Sequence, residues 1–184
     1  MGSSNRQLSF TPLKKSDISL LFKWVGNEHV FSWWQDEKEW DTFYKKYYKK
    51  CKSSYEFPHI IFFNNTPIGF IEYYFTDKVG NNWWPEYPAG TVGIDIFIGE
   101  PNFAGKGLGS IILKQMLSFI FSKLNVSKVI VDPGPDNIRA IKCYKKAGFL
   151  NGRLTQTPMG QALVMEITKE NFLKQNGQEC NPCP

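Results

Sequence analysis

Thr91-Val92-Gly93-Ile94-Asp95-Ile96-Phe97-Ile98 and, four residues later, Phe103-Ala104-Gly105-Lys106-Gly107-Leu108-Gly109-Ser110 decide how this chain folds. The first stretch alternates, with Val92, Ile94, Ile96 and Ile98 on one face and Asp95 on the other, the period of a β-strand. The second sets glycine at every second position, which suits neither a helix nor a strand interior. Directly behind it Leu108, Ile111, Ile112, Met116, Phe119 and Ile120 recur at helical spacing and predict an amphipathic helix. Strand, glycine-rich turn and helix in that order make an anion site. Glycines allow positive φ and close approach of a ligand, and the free N–H groups of the helix start supply the positive end of a dipole. A phosphate-bearing ligand is the expectation.

The whole chain fits one domain, residues 1–184, ending in a helical stub and loose tail from about Lys169. A 42% hydrophobic share excludes a disordered chain, and a net charge of +5 suits an anionic ligand without the dense basic stripe of a nucleic-acid binder. The lysines of 45–52 read as one solvated helix face. No stretch has the length of a membrane span, and the first six residues show neither a signal-peptide core nor a myristoylation pattern, so a cytoplasmic protein is expected. Four scattered cysteines give no disulfide framework, and Cys180-Asn181-Pro182-Cys183 stands without a second ligand pair, so no metal site is expected.

Outward from the opening stretch, Gln7 to Leu13 reads as an edge strand and Ser16 as the N-cap of a helix with Ile18, Leu21, Phe22 and Val25 inward. Residues 29–34 form an aromatic connection and 36–51 a helix. Strands 57–63 and 68–75 flank a turn at Asn64 to Pro67, and 77–90 is a polar loop holding Trp83-Trp84. A strand at 127–131 stops at Asp132-Pro133. Asp136 or Asn137 caps a helix that ends at Ala147 before Gly148, and strands 149–155 and 161–167 close the fold. Hairpins first and a helical crossover later predict an α/β fold with a mixed, mostly antiparallel sheet flanked by helices on both faces.

Three landmarks coincide: the strand–glycine turn–helix, the strand ending in Asp132-Pro133, and the helix carrying Asn137, Arg139, Ala140, Tyr144, Gly148 and Phe149. Together they resemble the GCN5-related N-acetyltransferases and, within them, the aminoglycoside 6′-N-acetyltransferases. The likeness extends to Trp83-Trp84, Gly93-Ile94-Asp95 and Gly99 to Phe103, and runs to about Ile167. Ala104 departs from the Gln or Arg usual at the start of the turn. The resemblance implies acetyl-CoA as donor, its pyrophosphate over Gly105, Lys106, Gly107, Leu108, Gly109 and Ser110, and its pantetheine paired like an added strand with Ile96, Phe97 and Ile98. Lys106 reads equally as a point charge there or as a solvated lysine. Asn137, Ala140 and Tyr144 would face the cofactor; Asn137 and Tyr144 stand two helical turns apart, hence on one face.

Acetyl transfer needs a neutral amine and a stabilised leaving thiolate. Tyr144 could serve the thiolate. Full proton transfer from a tyrosine near 10 to a thiolate near 8.5 is uphill by about 2 kcal/mol, so the expectation is a hydrogen bond or a lowered tyrosine pKa, against plain packing on Phe149. Asp95 would meet the acceptor's ammonium and take its proton, directly or through water, against the alternative of a structural ion pair. Its mismatch with an amine is about 8 kcal/mol unless desolvation narrows it. Cys143 is expected to pack rather than to carry acetyl. For a polycationic aminosugar, Trp34, Trp83 and Trp84 are the stacking candidates, and Glu72, Asp95 and Asp132 the ammonium partners; relatives commonly carry Gln at the position of Glu72. Another primary amine as acceptor, or a non-catalytic acetyl-CoA-binding module, are the competing readings.

Overall fold

The computed structural model describes residues 7–79, 84 and 86–177. Seven strands form one sheet: β1 (Leu8–Pro12), β2 (Glu56–Phe63), β3 (Thr66–Phe75), β4 (Val92–Ile98), β5 (Lys128–Val131), β6 (Leu150–Thr157) and β7 (Gly160–Thr168), in the order β1-β2-β3-β4-β5-β7-β6. The helices are α1 (Ile18–Val25), α2 (Glu28–Phe31), α3 (Trp40–Lys50), α4 (Leu108–Lys123), α5 (Ile138–Ala147) and α6 (Lys169–Gln175). β1/β2, β5/β7 and β6/β7 are antiparallel, whereas β4 and β5, joined through α4, are parallel, so the expected mostly antiparallel sheet flanked by helices is the fold found.

The chain divides into two compact units. One is Met1–Tyr73 with Asp95–Leu108, the other Tyr74–Ile94 with Gly109–Pro184. In the first, β1 lies at the sheet edge, where Pro12 costs no interior ladder bond. The β2–β3 turn is only Asn64-Asn65, at φ 47° and 65°; two left-handed residues match the twist of the strands they join, and Pro67 falls inside β3. Ser16 is not an N-cap. Lys15–Asp17 form a 3-10 turn in which Asp17 Oδ2 accepts from the Lys14 N–H at 2.9 Å, and α1 starts one residue later. Its inward stripe is Ile18, Leu21, Trp24 and Val25; Phe22 stays half-buried against Trp40 and Phe43. These residues, with Leu13, Phe43, Tyr47, Ile60 and Phe70, make the core of this unit.

In the second unit α4 buries Ile112, Leu113, Met116, Leu117 and Ile120 and leaves Ile111 and Phe119 52% and 41% exposed. The apolar face expected from spacing is therefore turned: the buried side takes in Leu113 and Leu117, and Ile111 and Phe119 share the exposed side with Lys114, Gln115 and Ser118. α5 begins at Asn137, whose Oδ1 accepts from the Ala140 N–H at 3.1 Å, and ends at Gly148 with φ 106°.

Candidate active site

The glycine turn has the predicted conformation. Gly105 and Gly107 take φ of 76° and 77°, and a β-carbon on Gly107 would meet nothing, so this glycine is there for its backbone angle. Gly109 serves a different end. It lies in the first turn of α4, and a β-carbon on it would come within 2.7 Å of Cys143 Sγ on α5, so its bareness lets the two helices approach. Cys143 is half-buried, and burial pushes its thiol up, which keeps it protonated and packed. Leu108 is buried, leaving only its backbone to a ligand; Ser110 is half-buried, and Lys106 is exposed with Nζ 6.0 Å from the Phe103 ring.

On α5, Tyr144 is buried with its ring edge-on to Phe149 at 5.7 Å, one helical face with the capping Asn137 and the half-buried Ala140. Asp132 follows β5. Withdrawal from water raises its carboxyl from 3.8 to about 6.

In the first unit Asp95, Ile96, Phe97 and Ile98 are all half-buried. The ladder between β4 and β5 pairs Val92 with Val129 and Gly93 with Ile130, at the opposite end of β4 from these residues. Phe97 stacks on Phe70 at 5.5 Å and takes the edge of Trp34 at 4.9 Å. Trp34 is fixed by its Nε1–H, which donates to Asp36 Oδ2 at 3.1 Å, the same oxygen that accepts from the Tyr47 hydroxyl at 2.6 Å. Asp36 is 1% exposed at its side chain. Burial opposes its ionisation, but the bonds from Lys46 and Tyr47 outweigh that and hold its carboxyl below the usual value. Close by, Lys50 donates to both oxygens of Glu72, at 2.7 and 2.8 Å.

A helix start with two left-handed glycines, and across α5 a buried tyrosine aligned with an N-cap asparagine, are the parts the glycine-turn reading requires. The profile of the acetyltransferase (GNAT) domain matches residues 14–157 of this chain. The chain belongs to the GNAT acetyltransferases. This acetyltransferase is 31% identical over 175 residues to aminoglycoside N(6')-acetyltransferase type 1 of Klebsiella pneumoniae, a match that covers 92% of this chain and 87% of the relative. Among solved structures it superposes with a TM-score of 0.87 and 29% identity on aminoglycoside acetyltransferase AAC(6')-Ib in complex with coenzyme A, covering 92% and 99% of the two chains. The same enzyme with coenzyme A and kanamycin gives 0.85 at 29% identity over the same shares.

Two of the acceptor residues expected in this acetyltransferase are corrected by its tertiary structure. Trp84 is 3% exposed and packed on Ile130, Val164 and Tyr87, so it is a core residue of the second unit with no face for a sugar. Glu72 is also 3% exposed, and the ammonium it holds is that of Lys50. Trp83, Cys180 and Cys183 lie outside the described residues. The lysines of 45–52 are not one solvated face either, since Lys50 is largely buried. Its signal was present: Phe43, Tyr47 and Lys50 follow one another at four and three residues, and the first two are core. Asp36 anchors Trp34 two residues before it, but its other partners, Lys46 and Tyr47, come from α3 ten and eleven residues on, beyond the reach of a short sequence pattern.

Proposed function

We propose that this GNAT acetyltransferase moves the acetyl group of acetyl-CoA directly to the 6′-amine of aminoglycoside antibiotics, a modification that confers resistance. What carries the reading is the extent of the likeness: it spans 92% of the chain, and so takes in α2, α3, β3 and β4 as well as the glycine turn. In this reading the backbone of residues 105–110, with Lys106, holds the pyrophosphate, the amides of Ile96, Phe97 and Ile98 pair with pantetheine, and Asn137 and Ala140 border the cofactor. Asp95 receives the acceptor's ammonium and its proton, directly or through a water. The freed amine nitrogen attacks the thioester carbon, and the tetrahedral intermediate expels the CoA thiolate. The Tyr144 hydroxyl stabilises that thiolate by donating a hydrogen bond, and the thiolate takes up the second proton that the nitrogen loses as the amide forms. Cys143, protonated and packed, takes no acetyl group. Trp34 borders the acceptor beside Phe97, and Asp132 gives a second carboxyl for a cationic sugar. No helix among the described residues is long and apolar enough to cross a membrane; in this reading the enzyme works in the cytoplasm on the acetyl-CoA supplied there.

The test is thiol release from acetyl-CoA upon addition of kanamycin or tobramycin, with spermine as comparison and mass spectrometry of the product to place the acetyl group. Aminoglycoside-dependent release with a 6′-acetylated product is expected. Release with spermine alone would assign a polyamine acceptor, and CoA binding without release with any amine would overturn catalysis.

A further inference from the structure

Lys50 sits at a junction of three acidic side chains of the first unit. Its Nζ lies 2.7 and 2.8 Å from the oxygens of Glu72 and 3.2 Å from Glu56 Oε1. The third acid is Asp95, and strand register brings it there. Gly99 N–H donates to the Ile68 carbonyl, and Thr76 N–H to that of Thr91, so 68 faces 99 and 76 faces 91 on β3 and the antiparallel β4. Eight residues separate the two rungs on each strand, which leaves no room for a bulge; Phe70 then faces Phe97, as their stacked rings bear out, and Glu72 faces Asp95. Two carboxylates directly opposite on one face of a sheet repel, and a shared site raises the affinity of one for a proton. Lys50 counters this. Despite burial, its ammonium is held well above its ordinary pKa by Glu72 first, then by Glu56 and Asp95.

We propose that Lys50 is a positioning residue for Asp95: its buried ammonium, tied to Glu72, offsets the repulsion between the facing carboxylates and holds Asp95 as the anion that meets the acceptor's ammonium. The inference rests on the reading of Asp95 given above. It also explains why a glutamate is tolerated at position 72. Lys50 balances that charge inside the protein with two direct bonds to Glu72, so of the facing pair Asp95 is the one assigned to the acceptor. The charged and titratable groups that meet Lys50 from the packed elements are Glu56 of β2, Glu72 of β3, Asp95 of β4 and Tyr47 of α3, with Asp36 bonded to the Tyr47 hydroxyl.

The experiment is a carboxyl carbon NMR titration of the full chain labelled at aspartate, with Asp95 assigned through Asp95→Asn, alongside kcat/KM for kanamycin across pH. Lys50→Met is expected to raise the Asp95 midpoint by about one pH unit or more, and to move the acid limb of kcat/KM with it. Lys50→Arg should restore the native midpoint, and Glu72→Gln should leave it unchanged or lower it. Should Lys50→Met fail to fold with Glu72 unpaired, Lys50→Met/Glu72→Gln against Glu72→Gln makes the same comparison, and the double variant must show the higher midpoint. Equal midpoints in that pair, or a rise in Glu72→Gln matching that in Lys50→Met, would overturn the role of Lys50. The titration needs no acceptor. If it behaves as expected but aminoglycosides are not acetylated, the acceptor assignment falls and the charge role stands.

Discussion

In the proposed reaction Asp95 is the residue that answers the proton problem. An acceptor amine arrives protonated at neutral pH and must lose that proton before it attacks, and a positioned base contributes about 100-fold or more. Asp95→Asn keeps the size of the side chain and removes the charge. It is expected to lower kcat for kanamycin by at least about 100-fold at pH 7, read in a thiol-release assay at saturating substrate; near-normal turnover would reduce Asp95 to a structural ion pair. Asp132 offers a different reading, through stability. Its folded carboxyl titrates near 6 against an ordinary 3.8. Between these values the folded chain holds the extra proton, so this group makes stability fall as pH rises, and above about 6 the whole penalty is present. Allowing for its partial contact with solvent, that penalty is on the order of 2 kcal/mol. Asp132→Asn should therefore raise Tm by roughly 4–8 °C at pH 8 and leave it unchanged at pH 4, measured by thermal scans at both values. An equal shift at the two pH values would rule out relief of a buried charge.

At the scale of elements, the glycines of the turn divide their work. Gly105 and Gly107 set a backbone path into α4, and Gly109 sets the distance from α4 to α5. Gly109→Ala puts a methyl group 2.7 Å from Cys143 Sγ, a contact that the short cysteine side chain can relieve only by changing rotamer. A loss of about 1–2 kcal/mol in urea unfolding is expected, and Cys143→Ala in the same background should return most of it. The cycle has a clear failing outcome: additive losses would mean that Cys143 is not what Gly109 avoids. α3 shows a second division. Its exposed turns carry Lys45 and Lys49 to solvent, and the line through Phe43, Tyr47 and Lys50 goes inward. A lysine on an inward line is tolerated because two glutamates from β2 and β3 meet it.

For the molecule as a whole, Trp84 of the polar loop shows what packing can override. Trp84 lies against Ile130 and Val164, so Trp84→Ala is expected to cost about 3–5 kcal/mol of stability in denaturant unfolding. A residue that only stacks on a sugar would instead raise KM with Tm intact, which makes the two roles separable in one variant. The sequence alone determined the local elements around the glycine turn. The alternation of 91–98, the glycine turn, the N-cap at Asn137 and the αL glycine at 148 are local features, in which each residue's effect depends on neighbours a turn away, so pattern and propensity are enough to read them. Tertiary structure alone decided the partners of Glu72, the fate of Trp84 and the facing of residue 72 by residue 95. Those depend on strand register and on side chains brought together from positions 36, 50, 56, 72 and 95. Burial and pairing of a charge are properties of such assembled surroundings, and no short stretch of chain encodes them.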